Sequence, residues 1–89
     1  MFNVLATPLS FGAIEQKTDK RQNIQFEDDN GVTFCATAWC KYTDFFRPGR
    51  VYAILRMEGT CSRLVNDRWI TIPRQLNIWY HCSVIDVTG

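Results

Sequence analysis

Lysine is scarce in this chain: of ten basic residues only Lys17, Lys20 and Lys41 are lysine, and the other seven are arginine. An excess of either charge is scarcer still, because nine acidic residues leave a formal net charge of +1 over 89 residues. So neutral a balance argues against a protein that holds nucleic acid by bulk electrostatics, since such domains are strongly basic. No apolar run approaches the ~18 residues of a membrane span, so no membrane partner is expected. Met1–Leu9 lacks the basic start and full apolar stretch of a signal peptide, and a cytoplasmic location is expected. The one histidine, His81, stands outside any nucleophile motif, and no Gly-x-Ser-x-Gly, P-loop, Gly-x-Gly-x-x-Gly or His-Glu-x-x-His occurs. Neither an enzyme nor a cofactor is expected.

What is present is globular in proportion, with 46% hydrophobic and 21% charged residues, which excludes disorder and collagen. At about 100–200 residues per domain there is room for one domain, residues 1–89. A chain this short buries only about 60–65% of its unfolded surface, so a partner subunit is an expected source of stability. The four cysteines, Cys35, Cys40, Cys61 and Cys82, would permit two disulfides in a secreted chain. With no export signal visible, thiols in a reducing compartment are the expected reading. Disulfides and a metal site remain alternatives. Cys35 and Cys40 have a spacing that suits zinc, but an odd separation along a strand sends them to opposite faces. No metal is expected.

No stretch of ten or more residues keeps a 3.6-residue apolar period, and β-branched and aromatic residues abound, so the chain reads as all-β. Strands are expected at Phe2–Leu9, at Ile24–Glu27, where Ile24 and Phe26 alternate with Gln25 and Glu27, and at Val32–Cys40, where Val32, Phe34, Ala36, Ala38 and Cys40 are the apolar positions, with a polar loop over 15–23. Asp28-Asp29-Asn30-Gly31 is a strong turn signal that makes 22–40 a hairpin. Residues 41–47 suit a short helix, broken by Pro48-Gly49. Val51–Glu58 follows as a fourth strand, with Val51, Ala53, Leu55 and Met57 on its apolar side. Asn66-Asp67 is expected to turn a small hairpin between Thr60–Val65 and Arg68–Ile72, and Gln75–Val87 to form a long last strand with Leu76, Ile78, Tyr80, Cys82 and Val84 on one face and a bulge near Ser83.

Strand parity then separates the tryptophans from the core. Trp39 falls beside Thr37 and Lys41, Trp79 between Asn77 and His81, and Trp69 out of phase with Ile70 and Ile72. Tyr52 and Arg56 share the polar side of the fourth strand. Burying an indole is worth a few kcal/mol, so three outward ones call for a reason. Rings interleaved with arginine and lysine suit single-stranded nucleic acid: bases stack for about 1–3 kcal/mol each and cations track phosphates. The alternatives are a second core layer, a subunit interface, or a carbohydrate or other ligand. Charge placement adds to the first reading: residues 1–40 carry three cations against five anions (−2), and 41–89 carry seven against four (+3).

The order strand, polar loop, hairpin, short helix ending in Phe45-Phe46-Arg47-Pro48-Gly49-Arg50, strand, final strand resembles the OB-fold over nearly the whole chain. In size and style the chain is similar to small phage and plasmid single-stranded DNA-binding proteins. The resemblance implies a five-stranded OB-like Greek-key barrel, with a short helix between strands 3 and 4, assembled as a homodimer. For a viral protein the location would be the host cytoplasm. It also implies a binding face on strands 2 and 3 and two loops, placing Lys17, Lys20 and Arg21 in the first loop, Trp39 on strand 3, and Arg63 and Arg68 in the second. Together the two lines of reasoning give single-stranded DNA or RNA as the expected partner. Trp39, Trp79, Tyr52 and Trp69 would meet bases, and Lys17, Lys20, Arg21, Lys41, Arg56, Arg63 and Arg68 phosphates. The alternative is a small protein-interaction module whose Trp and Arg face is a protein interface.

Overall fold

The computed structural model describes the backbone at residues 2–16, 18–65 and 67–88, and the side chains there except at 2, 58, 60–65 and 68–75. Six strands follow one another: β1 (Phe2–Gln16), β2 (Lys20–Asp28), β3 (Thr33–Trp39), β4 (Tyr52–Val65), β5 (Arg68–Ile78) and β6 (Ser83–Asp86). They form one mixed sheet in the order β1-β2-β3-β5-β4-β6, with β1 also paired to β4. The β3–β5 pairing is parallel, matching Ala36 to Leu76 and Ala38 to Ile78, while the other pairings are antiparallel. No described helix is long and apolar enough to cross a membrane.

The core follows the alternation of β2 and β3. Ile24 and Phe26 on β2 lie opposite Ala36 and Phe34 on β3, and Ile24, Phe26, Ala36 and Ala38 are all at most 1% exposed. Ile54, Met57 and Ile78 complete this layer with no exposed surface. Each such side chain contributes on the order of 1.5–3 kcal/mol by leaving water. Rings close one end: Phe46 meets Phe26 edge-on at 5.2 Å and Tyr52 edge-on at 4.9 Å, while Phe34 stacks on Phe26 at 5.4 Å.

The all-β class is as expected; the strands number six rather than the expected five, and four further details differ from the sequence reading. First, β1 and β2 run on through the expected polar loop, pairing Ile14 with Gln22, Glu15 with Arg21 and Gln16 with Lys20. Polar side chains on both faces do not prevent a ladder whose hydrogen bonds are made by the backbone. Second, the expected helix is one 3₁₀ turn, Cys40–Tyr42. Cys40, which opens the turn, and Asp44, just beyond it, have φ of 51° and 58°, and these left-handed residues leave a helix no room to propagate. Third, β4 has the opposite parity at its start: Tyr52 and Ile54 are buried, and Ala53 and Leu55 only partly so. Arg56, at φ 62°, is an extra residue between the pairs Ile54–Val4 and Met57–Phe2, and this bulge returns Met57 to the core. Fourth, the long last strand is broken. A turn in which Cys82 N–H donates to the Trp79 carbonyl (3.0 Å) ends β5, and β6 crosses to pair with residues 52–55 of β4. Tyr80, expected on the apolar face, sits in that turn and is 74% exposed.

Candidate functional site

The outer face of β2, β3 and β5 is assembled by register. Arg21 pairs with Glu15 on one side and Trp39 on the other, and Asn23 pairs with Thr37, which pairs with Asn77. Directly opposed residues project from the same face, so these form two adjacent rows across the sheet. Ala38 and Ile78 are matched on parallel strands, so the residues that follow them, Trp39 and Trp79, emerge side by side on that face.

Their indoles stack face to face, with centroids 4.4 Å apart and planes 6° from parallel. Trp39 Nε1–H donates to Asn77 Oδ1 at 2.9 Å, which fixes the ring's rotation. On the side of β2 the Arg21 guanidinium lies 6.0 Å from the Trp39 ring centre, and its Nε–H donates to Glu15 Oε2 at 2.9 Å. In the next row Thr37 Oγ1–H donates to Asn23 Oδ1 at 2.9 Å, and Thr37 is buried although it lies on the outer face. The stack contributes about 0.5–1.5 kcal/mol beyond burial and the guanidinium contact about 0.5–1 kcal/mol. The Arg21–Glu15 pair is half-exposed and adds little. Beside this ladder a cleft of about 230 Å³ is lined by Thr18, Asp19, Arg21 and Trp39. Chemically the site offers a planar aromatic surface, one positioned guanidinium, amide groups and the Glu15 carboxylate.

Of the residues expected to bind a ligand, the structure brings together Trp39, Trp79 and Arg21. The two indoles cover each other, and Arg21 flanks Trp39 from the opposite neighbouring strand. Lys20 is exposed at the start of β2, opposite Gln16. Lys41 is exposed with its ammonium 5.1 Å from the Tyr42 ring. Arg56 is exposed on the β4 bulge, where its guanidinium donates to Ser83 Oγ at 2.9 Å and its N–H to Asn3 Oδ1. Tyr52 is a correction. It is 3% exposed among Phe45 and Phe46, and its hydroxyl accepts the Arg47 N–H at 2.8 Å, so it offers no face to a ligand. Lys17 lies outside the described residues, as do the side chains of Trp69, Arg63 and Arg68.

Sequence reasoning missed the residues that hold the ladder, namely Glu15, Asn23, Thr37 and Asn77. The signal for Asn77 was its place two residues before Trp79 on the same face. Glu15 and Asn23 were hidden by the assignment of 15–23 to a loop. Cys35 and Cys40 are free and exposed, and the buried Cys82 thiol donates to the Arg56 carbonyl at 3.2 Å. The Cys61 side chain lies outside the described residues. Away from the ladder, Arg50 bonds the Asp86 carboxylate, and with the Thr88 hydroxyl and N–H it pulls that group from 3.8 down to about 2. Comparison with protein-family models, curated proteins and solved structures gives no match.

Proposed function

We propose that this protein binds single-stranded nucleic acid, DNA in the first instance, on the outer face of β2, β3 and β5 and without strong sequence preference. The stacked Trp39–Trp79 pair carries the reading: two indoles lie together on the polar side of the sheet, outside the core that would otherwise account for them. A base continues the stack on the side of Trp79 away from Trp39, and a second base meets the guanidinium side at Arg21. Arg21, Lys20 and Lys41 meet phosphates. Arginine suits this role because its plane stacks on bases as well as pairing with phosphate.

We read the strand arrangement as OB-like. The pairings β1-β2-β3-β5-β4 with β4 also on β1, and the parallel β3–β5 match, support that Greek-key barrel reading. The aromatic segment 42–46 supports it too, plugging one end of the core where the expected helix would lie.

A protein interface is the second reading. It is favoured by local charge, since Arg21 and Lys20 are balanced by Glu15 and Asp19. Oligonucleotide titration followed by tryptophan emission separates the two. Stacking quenches emission, and log affinity falls with log salt by about 0.7 per phosphate contacted. Trp39→Ala weakens binding by at least about 1 kcal/mol while the fold is kept. Unchanged emission with excess poly-dT and poly-U at low salt defeats the nucleic-acid reading.

A further inference from the structure

We infer that the outer face of β1, β4 and β6 is a docking surface for a basic, aliphatic segment of another protein. Register builds this face. Val4, Ile54 and Val84 are matched across the three strands, with Ile54 in the core and the two valines packed against it. The next row, Leu5, Ala53 and Ile85, is matched in the same way and so projects from the opposite face. No described element covers it: Leu5 is 42% exposed and Ile85 51%. Beyond it Val51 and Val87 extend the apolar surface, joined by the Val87 N–H on the Val51 carbonyl at 2.9 Å. Single exposed aliphatics are ordinary, but a contiguous row across three strands marks an interaction surface.

Charge beside the row indicates what covers it. Two adjoining clefts, of about 480 and 160 Å³, share Leu5, Asp28 and Asp29. Ala53 and Leu55 also line the larger, and Glu27 and Val51 the smaller. No basic side chain lines either cleft, and none of the three carboxylates enters an ion pair among the described residues. Asp28 spends Oδ1 on the Asn30 and Val32 N–H groups, whereas Glu27 and Asp29 are exposed. The described acids do not cluster closely enough to hold a metal ion.

An acidic rim beside an aliphatic row fits a segment that alternates Lys or Arg with Leu, Ile or Val. The aliphatic side chains leave water on the Leu5–Ala53–Ile85 row, and the cations meet the carboxylates in charge-assisted hydrogen bonds. The same rim repels the phosphates of nucleic acid and of anionic lipid. A second copy presenting this same face would double the carboxylates in one interface without adding a cation. The surface lies on other strands than the Trp39–Trp79 pair and does not rest on the nucleic-acid reading.

An alternating Lys-Leu peptide, titrated into the isotope-labelled full chain and followed by NMR, tests this. Amide signals of Leu5, Asp29, Ala53 and Ile85 move and saturate, while those of Trp39 and Asn77 stay in place. An alternating Glu-Leu peptide of equal length moves none of them. Leu5→Ser, which removes part of the row, weakens the Lys-Leu peptide by about tenfold. Asp29→Asn, which neutralises part of the rim, weakens it by about threefold. Tyr80→Ser, at a turn residue 74% exposed, leaves it unchanged. The same spectra show that each variant keeps the fold, and the mapping on the unaltered protein needs no variant. No binding at millimolar peptide, shifts confined to other strands, equal binding of the Glu-Leu peptide, or indifference to both substitutions overturns the inference. So does self-association of the unaltered chain that Leu5→Ser abolishes, which assigns the face to a second copy. Neither peptide reads nucleic-acid binding, so this inference and that reading fail separately.

Discussion

On the inner face of β2 and β3, Ile24, Phe26, Ala36 and Ala38 are at most 1% exposed, while on the outer face the same two strands carry Arg21, Asn23, Gln25 and Trp39. The inner face is held by packing, which has no direction and scales with the area removed from water. The outer face is held by contacts that each specify a geometry: an N–H on an amide oxygen, a guanidinium over a ring, two planes in register. Loss of an inner residue should be read as stability, and loss of an outer one as a change in what the surface presents.

The most severe test of that contrast is Phe26→Ala. Phe26 is fully buried and stacked among Phe34 and Phe46, so its removal leaves a cavity between two rings and costs about 3–5 kcal/mol. A denaturation midpoint that barely moves would mean that the aromatic cluster is not the heart of the fold. Asn77→Ala should do far less. It deprives Trp39 Nε1–H of its acceptor at a half-buried site, a loss of about 1 kcal/mol. The freed indole should turn and emit at longer wavelength as the stack with Trp79 loosens. If Asn77→Ala instead matched Phe26→Ala in cost, the ladder would be part of the core and the two faces would not differ in kind.

Much of the inner face was legible in the sequence. Alternation in 22–40 gave Ile24, Phe26, Ala36 and Ala38 their correct side, and the Asp28–Gly31 turn joins β2 and β3 as its residues suggest. There Asp28 Oδ1 accepts the Asn30 and Val32 N–H groups. Alternation failed wherever the backbone left regular β geometry. One left-handed residue, Arg56, inverted the parity of β4 and turned Tyr52 from an expected surface ring into a core one. The turn over residues 79–82 did the reverse for Tyr80, taking it from the expected apolar face to an exposed position. The outer face was legible only as a tendency: parity put Trp39 and Trp79 outside, but their stacking depends on the parallel β3–β5 match between residues far apart in sequence. No local pattern encodes that match. The half-exposed Phe11 and Ile14, which lie opposite the buried Ile24 and Gln22, were missed because β1 was expected to end near Leu9.

The smallest effect lies where charge alone acts, at Arg50 and Asp86, and it completes the contrast. Asp86 in the folded chain has its carboxyl lowered from 3.8 to about 2, first by the Arg50 hydrogen bond and then by Thr88. A lowered carboxylate stabilises the fold above its unfolded value, and that contribution is lost as pH falls from about 4 toward 2. The pair is on the surface, so water and salt screen it and the loss should be slight. NMR titration of the Asp86 carboxyl should give a midpoint near 2, and Arg50→Gln should move it up toward 3.8. The same substitution should flatten the acid limb of the stability curve without touching tryptophan emission. A midpoint already near 3.8 in the unaltered protein would show that directional contacts at exposed positions are not held in solution. The geometry of the Glu15–Arg21–Trp39 row would then have to be attributed to the indole stack and Asn77 alone.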